Sequence, residues 1–493
     1  MNINPLTSVD FYKADHRRQY PEGTTEIYSN FTARAAHPVR KAGGWHENKV
    51  VFFGLQYFIK NFLLHVWNEE FFKKDKHTVI AAYKRRMDNA LGKDSISTSH
   101  IEALHDLGYL PLKIKALSEG MRVPVGVPLL TIRNTHPDFF WLTNYIESVM
   151  SCYLWKTITS ATTAYEYKYL LTSYALKTGS SLDFVPFQVH DFSLRGMGSL
   201  QDSAQNGAAH LTSFFGTDSA PGIDLLEDYY NANAEIEMIG ISVPATEHSV
   251  MCMGTQEGEL ETFRRLISNI YPTGIVSIVS DTWDFWKVIT EYMTQLKDEI
   301  LKRNGKVVIR PDSGDPVKII CGDPDAIQHS PEHKGAIECL WEIFGGTITS
   351  TGHKTLDKHI GLIYGDSITL ERAEEILKTL SNKGFSSENI IFGIGSYTYQ
   401  YVTRDNFGFA HKATSGVVNG KRISIFKNPK TDSGIKKSAS GLLRVEIENN
   451  KIVLYDNQTE EQESKGLLQS VFVNGKLQRE TSLKDIRERI VRV

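Results

Sequence analysis

The middle of the chain repeats one hydrophobic rhythm: a short β-branched run, a polar or glycine-bearing turn, then apolar positions at helical spacing. That alternation predicts parallel strands joined by crossover helices. Four runs are plain. Ile275 to Val279 ends in Ser280-Asp281, Val307 to Ile309 in Arg310-Pro311-Asp312, Leu362 to Tyr364 in Gly365-Asp366, and Ile390 to Phe392 in Gly393. After Asp366, the residues Leu370, Ala373, Ile376, Leu377 and Leu380 fall on one helical stripe, and Gly384 offers a left-handed stop. Strand ends recur about every thirty residues, or about twice that where a Gly-, Asp- and Pro-rich insertion at 314–336 intervenes, as the units of an α/β barrel require.

The flanks carry a different pattern. Residues 106–134 are rich in Gly, Pro and Val without helical periodicity, and Asn419-Gly420 and Asn474-Gly475 sit between β-forming residues as hairpin signals. Ser482 followed by Asp485 predicts the start of a last helix. The expected fold class is α/β, an irregular parallel α/β barrel over 151–404. A flanking α+β domain is expected to be built from both chain ends, 1–150 and 405–493.

Composition narrows the function classes. A net charge of -3, from 55 basic and 58 acidic residues in 493, gives no bulk attraction to nucleic acid or an anionic membrane. Cys152, Cys252, Cys321 and Cys339 are far apart with no C-x-x-C pair, which speaks against a zinc site or a disulfide framework and fits a reducing cytoplasm. The N-terminus lacks a signal pattern, and no apolar run is long enough for a bilayer. A cytoplasmic protein acting on small molecules, with no nucleic-acid or membrane partner, is the expectation.

Loops at the C-terminal ends of barrel strands are where such folds carry chemistry. His248, with Glu247 beside it, follows the apolar run around Ile241 in such a position. Arg310 and Asp312 should face the same barrel mouth, where a planar guanidinium suits a phosphate or a carbonyl. Gly365-Asp366 and Gly393-Ile394-Gly395-Ser396 place glycines after strands, so backbone N–H groups can approach a phosphate. Thr398 stands where a dinucleotide fingerprint would want glycine, which disfavours a Rossmann reading. Phe192 and Arg195, three apart, suit a flat electron-poor ring. Asp218, on a glycine turn, can accept from an amide NH2 and repel a carboxylate, and so can set substrate choice.

Read together, Asp10-Phe11-Tyr12-Lys13 and the segments 190–196, 216–218, 242–249, 280–284 and 310–314 resemble the nicotinamide phosphoribosyltransferase family, type II phosphoribosyltransferases with an irregular α/β barrel. The resemblance implies a homodimer with shared active sites. Nicotinamide would lie between Phe192 and the other subunit's Tyr12, with Asp218 accepting from the amide and Arg195 and Arg310 near it. Arg310, Asp312, Gly365 and Asp366 would hold the ribose and 5-phosphate, and Gly395 and Ser396 would form the phosphate loop. Arg34, Arg404, Lys412 and Lys427 would receive pyrophosphate, several of them across the interface. Mg2+ would accompany that anion, with no dedicated set of metal-ligating side chains. His248 would be the histidine phosphorylated by ATP, a co-substrate, Asp284 would orient its imidazole, and Asp312 would join them as a catalytic residue. The loop Gly393 to Tyr397 is poorer in glycine than the family's phosphate loop.

Three rivals stay open at this point. A nicotinate phosphoribosyltransferase shares the barrel but must welcome a carboxylate. A barrel glycosidase would use Asp312 and Asp366 as a carboxylate pair roughly 5 to 10 Å apart across an open cleft. A binding protein that merely keeps the fold would not need His248.

Overall fold

The computed structural model describes residues 3–35, 47–426 and 439–492. The chain forms two compact units, one of 1–162, 225–232 and 402–493, the other of 163–224 and 233–401.

In the first unit both chain ends contribute to one seven-stranded sheet. Its order is 421–424, 410–418, 24–32, 128–134, 112–116, 469–473 and 476–477, and every neighbouring pair is antiparallel. The two Asn-Gly hairpins form as expected. Val418 pairs with Lys421 and Val473 with Lys476, while Asn419 and Asn474 take the left-handed conformation that a two-residue hairpin needs. The last helix, Leu483–Arg492, is capped as the sequence indicates, Ser482 N donating to Asp485 and Asp485 N donating back to Ser482 Oγ, each 3.1 Å.

The second unit is the barrel. Its parallel strands are β1 (Val189–Asp191), β2 (Gly216–Thr217), β3 (Thr273–Val279), β4 (Asn304–Arg310), β5 (Ile360–Tyr364) and β6 (Ile390–Ile394). The sheet order is β2-β1-β6-β5-β4-β3. The two open edges meet on one extended segment: Ile241 bridges β2 at Gly216, and Ala245 bridges β3 at Ser277. With that segment included, neighbours around the ring follow chain order, as a β/α barrel requires. It is an irregular barrel because the closing segment and β2 each give only one or two pairings.

The core lies between the helix-facing residues of these strands and the helices wrapped on them. Val276, Ile278, Val307, Ile309, Leu362, Tyr364, Phe392 and Ile394 are all buried, as are Leu370, Ala373, Ile376, Leu377 and Leu380 of the helix Leu370–Asn382. Burial on both faces explains why these strands read as continuous apolar runs rather than alternating ones. The expected insertion at 314–336 contains a helix, Pro316–Cys321, begun by Asp315, whose carboxylate accepts from the N–H groups of Val317 and Lys318. All four cysteines are thiols, Cys321 and Cys339 buried, Cys152 and Cys252 exposed. Among the described residues no helix is long and apolar enough to cross a membrane.

Candidate active site

The C-terminal ends of β1, β4, β5 and β6 open onto a cavity of about 470 Å³ lined by Phe192, Arg195, Asp218, Arg310, Asp312, Gly365, Asp366, Gly395 and Ser396, together with Leu194, Gly196, Ser367 and Tyr397. Each side chain is there for a local reason. Phe192 follows β1 directly, and its N–H donates to Ile394 O at 2.8 Å, so the ladder with β6 fixes its backbone. Its ring lies against the next two strand ends: a β-carbon at Gly365 would sit 2.9 Å from Phe192 Cε2, and one at Gly393 would be driven into the ring. These glycines are bare because the aromatic ring needs their space. The Arg310 guanidinium lies 5.2 Å from the Phe192 ring centroid, so a planar cation already stacks on that ring.

Asp218 ends β2. Its N–H donates to Asp191 O at 3.0 Å, and its Oδ1 accepts from Ser242 Oγ at 2.5 Å. The other carboxylate oxygen is left for a ligand on this exposed side chain. Beneath it, His190 is buried, and burial pushes its imidazole down to about 4 despite the Asp218 charge. Asp191 is also buried; burial raises its carboxyl, against the Ser193 N–H that donates to it at 2.9 Å.

His248 stands at the first position of the helix His248–Met253, just after the barrel-closing segment, and is exposed. Its Nε2 is 3.4 Å from Asp281 Oδ1 and 3.8 Å from Asp312 Oδ1. The expected partner, Asp284, is engaged elsewhere: its side chain caps the next helix by accepting from Lys287 N at 3.0 Å. The imidazole therefore faces Asp281, because strand β3 delivers residue 281 to the mouth while the turn carries residue 284 past it. Asp281 in turn accepts from Asp312 N at 2.9 Å and Ser313 Oγ at 2.5 Å. Burial and the neighbouring Asp281 charge raise the Asp312 carboxyl, with His248 and Arg310 opposing.

His248, Asp281 and Asp312 bring one ligand atom each within 4.8 Å of one another, a grouping the sequence reading did not assemble. Asp281 Oδ1 is buried and has no hydrogen-bond partner. A buried carboxylate oxygen that makes no hydrogen bond, facing His248 Nε2 at 3.4 Å and lying beside a second carboxylate, fits a hard divalent cation such as Mg2+.

A second set lies in the first unit. Tyr12, Arg34, Arg404 and Lys412 line a cavity of about 640 Å³ together with Asp10, Glu147, Cys152 and Trp155. Tyr12 is 60% exposed, and its ring meets His16 edge-on at 5.1 Å. Arg34 is steadied by donating to Gly408 O at 2.9 Å. Lys427 lies outside the described residues.

Sequence reasoning missed Asp281 and Ser242. Asp281 was marked by its place at a strand end next to Ser280, the same signal that picked out Arg310. Ser242 carried no signal of its own, since its role comes from a partner 24 residues away.

Comparison with known proteins fits this geometry. Residues 187–476 match the nicotinate phosphoribosyltransferase family model, and residues 4–114 match the nicotinamide phosphoribosyltransferase N-terminal domain. The chain is 60% identical to a nicotinamide phosphoribosyltransferase of Acinetobacter baylyi, over 99% of this chain and 97% of the relative. It is 35% identical to one of Mycoplasma pneumoniae, over 89% of this chain and 95% of the relative. Among solved structures, a nicotinate-nucleotide pyrophosphorylase from Pyrococcus furiosus shares the fold with a TM-score of 0.60 at 16% identity, covering 99% of this chain and 95% of that one. Human nicotinic acid phosphoribosyltransferase gives 0.51 at 13% identity, covering 98% and 92%. With its strand-end arginine and glycines, its aromatic platform and these relatives, the chain belongs to the nicotinate and nicotinamide phosphoribosyltransferase family of enzymes.

Proposed function

We propose that this enzyme joins nicotinamide to 5-phosphoribosyl-1-pyrophosphate, forming nicotinamide mononucleotide and releasing pyrophosphate, as a step of NAD salvage. Phe192 supplies a face for the neutral ring, and the planar guanidinium now stacked there marks the face that a flat heterocycle takes. The observation that carries the choice of nicotinamide over nicotinate is Asp218 at the cavity wall. Its carboxylate accepts from an amide NH2 and repels a substrate carboxylate.

The pyridine nitrogen attacks the anomeric carbon as the C–O bond to pyrophosphate breaks, and positive character builds on the sugar. The site's tasks are to hold the nucleophile in line and to neutralise the departing anion. Phe192, Arg195 and Asp218 do the first. Arg310, Asp312, Gly365 and Asp366 hold the ribose and 5-phosphate, and Gly395 and Ser396 present backbone N–H groups to the phosphate. Asp281 and Asp312 would hold Mg2+, which when bound supplies positive charge to the phosphate oxygens. In a homodimer with shared sites, the partner protomer provides Tyr12 and several of the cations Arg34, Arg404, Lys412 and Lys427 that receive pyrophosphate. His248 attacks the γ-phosphorus of ATP and ADP leaves, and hydrolysis of the phosphohistidine then drives the unfavourable transfer. A cytoplasmic location fits the thiol state of the cysteines.

The experiment is an initial-rate assay with 5-phosphoribosyl-1-pyrophosphate and either nicotinamide or nicotinate, with and without ATP. Nicotinamide is preferred, ATP raises the rate, and His248→Ala loses that stimulation while keeping basal turnover. Equal use of the two bases sinks the substrate assignment.

A further inference from the structure

Ser242 lies in no strand or helix, yet it sits on the one segment that closes the barrel. That segment is pinned at both ends. Near Ser242, Ile241 N donates to Phe215 O at 2.7 Å and Thr217 N donates to Ile241 O at 2.9 Å; farther on, Ser277 N donates to Pro244 O at 2.9 Å and Thr246 N to Ser277 O at 3.0 Å. Thr246 is buried, and its hydroxyl accepts from Val279 N at 2.9 Å. Between these clamps Ser242 has little backbone freedom. Its Oγ donates to Asp218 Oδ1 at 2.5 Å.

Asp218 otherwise stands on an exposed turn, where a carboxylate rotates readily about its side-chain torsions. A hydroxyl has one proton to donate, so Ser242 engages one carboxylate oxygen and leaves the other for a ligand. Fixing the first oxygen fixes the direction of the second. Preorganisation of this kind matters most for discrimination, because an acceptor held in place gains from an amide N–H and cannot turn away from a substrate carboxylate.

We infer that Ser242 is a positioning residue for base recognition: its hydroxyl aims Asp218 at the amide of the substrate, so the preference for an amide over an acid depends on it. The inference rests on the proposed nicotinamide activity and goes beyond it by naming the residue that makes Asp218 selective. Ser242 is exposed, so its replacement leaves the core untouched.

The test measures KM and kcat of wild type, Ser242→Ala, Ser242→Thr and Asp218→Asn, plus the Ser242→Ala/Asp218→Asn double variant, for nicotinamide, nicotinate and 5-phosphoribosyl-1-pyrophosphate. Ser242→Ala should raise the KM for nicotinamide about three- to tenfold, as loss of one ordinary solvent-exposed hydrogen bond predicts. The nicotinamide-to-nicotinate ratio of kcat/KM should fall by a similar factor while the KM for the sugar donor stays put. Ser242→Thr, which keeps the hydroxyl, should restore the ratio, and in the Asp218→Asn background removing Ser242 should change nothing further. An unaltered ratio in Ser242→Ala, or an equal loss for both bases and the sugar donor, overturns the inference while the proposed activity stands. Wild-type protein without nicotinamide turnover overturns both.

Discussion

At Gly393 a β-carbon would enter the Phe192 ring, and its other near neighbour is the Gly365 Cα at 2.9 Å. Backbone on one side and, on the other, a ring whose backbone is fixed by its ladder bond leave little that can yield cheaply. Gly393→Ala should therefore tilt the Phe192 ring out of position and lower kcat/KM for nicotinamide roughly tenfold or more. Steady-state kinetics beside a thermal melt decide the point, since unchanged kinetics in a folded variant would mean that the ring is not the platform. The sequence reading found Gly393 and Gly365 but gave glycine at this loop the task of admitting a phosphate. The structure gives two of them a second task, admitting an aromatic side chain from 170 or more residues upstream, which no local pattern announces.

The helix Leu370–Asn382 was readable because every constraint on it is local: Thr369 caps Arg372 N at 3.3 Å, five apolar residues share a stripe, and Gly384 follows at a φ of 78°. Ile376, at the centre of that stripe, is fully buried in the barrel core. Ile376→Ala should cost about 2–5 kcal/mol of stability through lost burial and the cavity left behind. Chemical denaturation reads this directly, and a loss under about 1 kcal/mol would mean that the site collapses onto the gap. The barrel-closing segment is the opposite case. Its single bridges to Gly216 and Ser277 follow from the positions of two strands that are far apart in sequence. A run interrupted by Pro244 looks like a loop, and only the ring it completes makes it an element.

At the scale of the molecule, burial holds three histidines neutral: His100, His190 and His411 are each depressed from 6.5 to about 4. Unfolding frees them to titrate normally, so between about pH 6.5 and 4 the unfolded chain binds more protons than the folded one. Stability accordingly falls as pH drops through that window and is flat in this respect above it. The raised carboxyls of Glu259, Glu119 and Asp191 act in the opposite sense, so the histidine share is read by comparing melts of wild type and His100→Gln from about pH 7.5 to 4.5. The variant's midpoint should fall less on the acid side, and an identical profile would rule the assignment out. The shared-site proposal makes its own prediction. Mixing inactive Phe192→Ala protomers with inactive Tyr12→Ala protomers should recover activity at about a quarter of the sites, since each mixed dimer keeps one unmutated pair. No recovery after verified subunit exchange would mean that the two residues belong to one chain's site.

Periodicity, turn chemistry and strand-end residues determined much of this protein without any coordinates. The β3 to β6 strands, the capped final helix, both Asn-Gly hairpins and most of the cavity-lining residues follow from spacing within short windows, because the forces that set them act between near neighbours. Tertiary structure alone decided which partners those residues meet. It turned His248 toward Asp281 instead of Asp284, put a guanidinium over Phe192, and tied Asp218 to Ser242. Hydrogen bonds and ring contacts of these kinds act over a few ångströms in space, and closing the barrel is what makes residues distant along the chain near enough to form them.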